Sequence, residues 1–182
     1  MFQLYIRRQG FYLPFLFHQK LFAMKHLAIK YGMIMFAGFA ALLLVLYIFG
    51  AADHANLRSL NIFIHFSVMY AMVKAYRQAY PETVNNYVKG TIASMLASMV
   101  GVFAFAALVF FTLSLDPILL GQLKGHSPLP EYFTPFNAAL YLTVEGTVAG
   151  LVGAYIVTRI VDAKYDHVPS EGKVSRDIKS GA

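Results

Sequence analysis

The chain has 182 residues, of which 58% are hydrophobic and 13% charged, and its net charge is +6. Such a composition would be anomalous for a soluble protein of this size and points to the bilayer. With no cysteine, disulfides, thiolate nucleophiles, iron–sulfur clusters and cysteine zinc sites are excluded.

Residues 1–26 mix aromatic side chains with Arg7, Arg8 and Lys20, and Pro14 interrupts their longest uncharged run. That run is too short to span and lacks the small-residue cleavage site of a signal peptide. Two readings stay open. The segment is an amphipathic helix lying in the membrane interface, with Phe and Leu down, or it precedes the native start. Met24-Lys25-His26 leading straight into a span would make an ordinary beginning.

Four uncharged runs follow, over 31–52, 59–73, 90–115 and 132–158, the last broken only by Glu145. A helix needs about 20 apolar residues to cross the hydrocarbon core. Three runs exceed that length. The second reaches it only if Arg58 and Lys74 extend their charged ends to the interfaces. The expected spans are about 27–50, 57–76, 88–115 and 134–160. Pro81 should end the second, and Pro135 suits the first turn of the fourth. The connection 116–134 holds Gly121, Gly125, Pro128 and Pro130, which argue against a long helix. One short interfacial turn from Pro117 to Leu123 fits there. Residues 166–182 are polar and read as a disordered tail.

Charge gives the topology. With the N-terminus in the cytoplasm, four spans place all but two of the 15 Lys and Arg on the cytoplasmic side. The exceptions are Arg58 and Lys124. Basic residues collect on that side of membrane proteins. The net positive charge is therefore a topology signal, and no nucleic-acid partner is expected. The fold class is all-α, an integral membrane four-helix bundle with both termini inside, multi-pass in a bacterial inner membrane.

Two constellations stand out within the spans. Glu145 falls about 15 Å past the start of the fourth helix, near the bilayer centre. An ionisable group there costs about 3 kcal/mol or more when it faces lipid, so it should face the bundle interior, a cavity or a partner. Asn137, Tyr141 and Glu145 share one helix stripe at four-residue spacing, and Arg58, Asn61 and His65 share another. His65 lies at a similar depth, and a His65–Glu145 contact is expected. As a polar clasp it would be modest, at about 0.6 kcal/mol for an average interhelical hydrogen bond in a membrane. As a relay or substrate site it would line a path. The second constellation is small residues: Gly146, Gly150 and Ala154 on the fourth helix, with Ser94, Ser98 and Gly101 on the third. Small residues every fourth position let helix backbones approach.

No metalloprotease, nucleophile-elbow or phosphate-loop motif appears. The lone Asp53-His54 pair has too few ligands for a metal site. His65 is the only histidine inside a span, so one chain cannot supply paired haem ligands. No enzyme activity, cofactor or metal is expected. Lys25 to Gly32, Ala75-Tyr76-Arg77, and Gly90 with Ser94 and Ser98 resemble a family of small bacterial inner-membrane proteins of unknown function, over roughly 24–165. The resemblance implies a four-helix membrane fold and brings no activity with it. The role expected from the sequence is an accessory or scaffolding component of a membrane assembly. The alternative is a small oligomeric transporter or channel using Glu145 and His65.

Overall fold

A computed structural model of the chain describes residues 2–50, 59–83, 86–125 and 130–166, with side chains described from 24 onward except at 82, 165 and 166. The expected disordered tail, apart from Asp166 at the end of the last helix, and the Asp53-His54 loop lie outside these residues, as does Arg58. The described residues form five α-helices and no strand: α1 Phe2–Ile48, α2 Leu60–Ala79, α3 Tyr87–Leu115, α4 Pro117–Gly125 and α5 Pro135–Asp166. Short 3₁₀ turns at Pro81–Thr83 and Pro130–Tyr132 punctuate the connections. Three helical segments, Met24–Ile48, Tyr87–Leu115 and Pro135–Lys164, are long and apolar enough to cross a membrane. Helix α2 is not one of them. It is 20 residues long and carries Lys74 and Arg77 in its last turns.

Local chemistry sets the helix ends. Tyr80, just before Pro81, closes α2 by donating its backbone N–H to the carbonyl of Tyr76. Proline has no N–H with which to continue the ladder. Asn86 precedes α3, and its side chain accepts from the backbone N–H of Lys89. Asp116 both stops α3 and starts α4. Its Oδ1 accepts the N–H groups of Ile118 at 3.1 Å and Leu119 at 3.0 Å, the usual duty of an N-cap carboxylate. The backbone N–H of Leu119 holds the Asp116 carboxyl below the usual range, with help from the Tyr47 hydroxyl and the N–H of Ile118. Thr134 caps α5 by accepting the N–H of Asn137 at 3.1 Å.

Helix α3 is the central element, lying against α1 on one side and α5 on another, with α2 also in contact. Its buried positions are Gly90, Ala93, Ser94, Ala97, Ser98, Gly101, Val102, Phe105, Ala106 and, further on, Leu113. They repeat at three and four residues, one continuous helix face. Small side chains at most of them bring the neighbours close. Gly101 meets Met35 of α1, and Gly146 of α5 meets Val102. The main core joins Met35 and Phe39 of α1, Met69 and Val73 of α2, Val102 and Phe105 of α3, and Ala154, Val157 and Val161 of α5. Where a single turn was expected after α3, the nine-residue α4 folds back instead. Its Leu119 and Leu123 are buried against Leu113 and Ala138.

Candidate functional site

Helices α1 to α5 enclose a cavity of about 350 Å³. Most of its wall is apolar, including Phe39, Leu43, Phe105, Leu119, Leu123 and Leu142. Asn61 and His65 of α2 and Tyr141 and Glu145 of α5 contribute polar groups to it. Four of the five residues named as an intramembrane polar set thus meet at one cavity. They come from two helices whose polar stripes, about one turn apart at each step, turn toward each other.

Asn137, the fifth, is elsewhere. Its side-chain amide donates to the carbonyl of Tyr132 at 2.7 Å, and its backbone N–H is taken by Thr134. It secures the first turn of α5. Its spacing from Tyr141 placed it on the stripe, but the open N-terminal turn there leaves unpaired backbone groups, and the amide answers one of the loop's.

The expected His65–Glu145 contact is not made. His65 is buried, and its Nε2 pairs with the Ser98 hydroxyl at 2.7 Å. The reason is the packing of α3 on α5. Gly150 has no side chain, so Ser98 occupies the space where a Cβ would sit, and that position is also 3.6 Å from His65 Nε2. A serine of the third helix therefore lies between the second and the last and takes the imidazole. The Phe39 ring packs nearly perpendicular to His65, with ring centroids 5.8 Å apart. Glu145 is exposed at the surface of the chain and has no hydrogen bond or ion pair to any described residue. The carbonyl oxygen of the Asn61 side chain is buried without a partner.

Of the small residues singled out, Gly146 and Gly150 form the α3–α5 contact with Val102 and Ser98. Ser94 and Ala154 are fully buried. Ser94 returns its hydroxyl to the carbonyl of Thr91 at 3.2 Å. Gly101 serves α1 rather than α5, because Met35 lies against it.

A second polar centre was not anticipated. Arg77, near the end of α2, is 1% exposed. Its Nε and one terminal nitrogen each hold an oxygen of Asp162 on α5 at 2.8 Å. Its other terminal nitrogen donates to the carbonyl and hydroxyl of Thr83, the latter at 3.0 Å. A further bond reaches the carbonyl of Asn86 at 3.3 Å. Gly90 gives the guanidinium its room, since a Cβ there would stand 2.7 Å from it. The signal was present in the sequence. Asp162 is an acid among basic residues at the same end of the spans as Arg77. Its place past the inner end of the last apolar run makes it read as an ordinary interfacial charge. Among the described residues no group of three or more His, Asp or Glu side chains is arranged to hold a metal.

No protein-family model, curated protein or solved structure matches this chain.

Proposed function

We propose that the chain is a four-helix, N-in and C-in protein of the bacterial inner membrane, and that it works as a small oligomeric transporter with an intramembrane binding site at the Glu145 cavity. Three apolar helices support the membrane placement, and the one-sided distribution of Lys and Arg supports α2 as the fourth span. The observation that carries the transport reading is the convergence of Asn61, His65, Tyr141 and Glu145 on one cavity. Polar and ionisable groups at membrane depth are costly and mark substrate or ion pathways. Helix α5 is lined on its outer side by exposed Val144, Val148, Leu151 and Val152, an apolar face suited to a second copy of the chain.

Glu145 also favours a second reading, the accessory or scaffolding subunit. A carboxylate exposed at the surface of a single chain, in the middle of an apolar helix, is suited to a donor on a partner protein. One comparison separates the two. Purified wild-type protein and Glu145→Gln are reconstituted in liposomes, and proton and alkali-cation flux is measured. Transport requires flux in wild type that is lost in a Glu145→Gln protein of unchanged helix content, because an amide does not exchange the proton. Absence of flux together with a stoichiometric partner in mild-detergent purification would replace the transporter with the accessory subunit.

A further inference from the structure

We propose that the cavity binds a single-chain amphiphile with a cationic ammonium head group, the head at Glu145 and the alkyl chain among the apolar walls. The proposal rests on reading Glu145 as a binding group, and it names the ligand class.

Size comes first. A cavity of about 350 Å³ falls within the roughly 300–1,000 Å³ of small-molecule sites. A slender small molecule suits such a space. An alkyl chain has that form.

The walls decide the body of the ligand. Phe39, Phe105, Leu119 and Leu123 offer nothing to a polar molecule. Burying an apolar chain among them gains about 25 cal/mol per Å² removed from water. In a bilayer the competing solvent is lipid, so the chain alone confers little selectivity. Selectivity must come from the head.

The polar groups decide the head. His65 Nε2 is engaged by Ser98. The Asn61 carbonyl oxygen is buried without a partner, and the acid among the described lining residues is Glu145, which sets the sign of the charge the head must carry. A carboxyl-bearing ligand would bring more acceptors and a like charge. An alcohol brings one donor and no charge. An alkylammonium brings three donors and the opposite charge, and the Tyr141 ring adds an aromatic face of the kind that attracts cations. Glu145 and Tyr141 are both exposed while lining the cavity. The opening therefore lies at the side of the bundle, at the depth of apolar α5, where an amphiphile dissolved in the bilayer arrives directly.

The chain has no tryptophan, so a single Leu46→Trp substitution in the cavity wall makes a clean fluorescent reporter. The full chain with this change is placed in phosphatidylcholine nanodiscs, whose zwitterionic surface does not concentrate cations. It is titrated with 11-bromoundecylammonium, 11-bromoundecanol and 11-bromoundecanoate, whose bromine quenches on contact. The expected result is saturable quenching by the ammonium compound, with half-saturation at least tenfold below that of the alcohol, and only linear, partition-type quenching by the carboxylate. Adding Glu145→Gln should bring the ammonium compound to the level of the alcohol. Linear quenching by all three, equal half-saturation of ammonium and alcohol, or an ammonium response indifferent to Glu145→Gln overturns the proposal. The ligand series on the reporter protein decides the question even if the glutamine variant fails to fold. Saturable ammonium binding without liposome flux would leave the site standing and remove only transport.

Discussion

Replacing Arg77 by alanine should be the most damaging single change of a charged residue in this protein. The guanidinium side chain is wholly buried, and Asp162 is 11% exposed. Removing Arg77 strands the Asp162 carboxylate, whereas the carbonyls of Thr83 and Asn86 keep the backbone N–H groups of Asn86 and Lys89 and the Thr83 hydroxyl still donates to the Tyr80 carbonyl. Deleting one partner of a buried pair costs about 3–5 kcal/mol, mainly through the charge left behind. The slight exposure of Asp162 lets water reach its carboxylate, which favours the lower end, about 3 kcal/mol. That is more than a hundredfold in the folding equilibrium. Arg77→Lys keeps the charge but loses the two-pronged grip on Asp162, so it should fall between wild type and alanine. The double variant Arg77→Leu/Asp162→Leu should recover much of the loss, because it leaves no unpaired charge. The assay is reversible unfolding in mixed micelles of maltoside and dodecyl sulfate, followed by helix circular dichroism. Lys164→Ala serves as the control, since Lys164 is exposed and meets Tyr70 alone among the described residues, through a bond to the hydroxyl at 3.0 Å and a cation–ring contact at 5.2 Å. If Arg77→Ala costs no more than the control, or if the Arg77 and Asp162 effects simply add, the pair does not fasten α2 to α5 as argued.

Gly150→Ala should destabilise the fold by about 1–3 kcal/mol in the same assay, the usual cost of overpacking, because the new methyl runs into Ser98 and its bond to His65. Gly121→Ala, where a Cβ meets nothing within 4 Å, should be neutral or slightly stabilising, and equal effects at the two sites would refute the close α3–α5 contact. Topology is read with reporter fusions in a bacterial host. Fusions after residue 80 and at the C-terminus should report the cytoplasm and those near 54 and 125 the outside, while an outside C-terminus would end the four-span reading.

The helices were legible in the sequence because the information for them is local. Uninterrupted apolar runs determine where a chain can cross a bilayer. Pro81 and Pro135 mark ends because a missing N–H and a fixed φ act within one turn. The small-residue face of α3 is visible as a three-and-four periodicity. The turn after Leu115 was under-read: the glycines and prolines there forbid a long helix, but Asp116 capping the backbone of Ile118 and Leu119 is enough for a short one. What the sequence does not hold is the rotation and axial offset of one helix against another. Asn61 and His65 of one stripe and Tyr141 and Glu145 of the other reach the same cavity. Which atom meets which depended on Ser98 entering over the bare backbone of Gly150, a contact among three helices far apart in the chain. Arg77 and Asp162 are likewise 85 positions apart, and each alone reads as an ordinary charge at a helix end. Their pairing exists only because α2 and α5 run side by side with those ends level. Partner choice between helices follows from close packing across the bundle, and close packing is decided by the whole set of side chains at once.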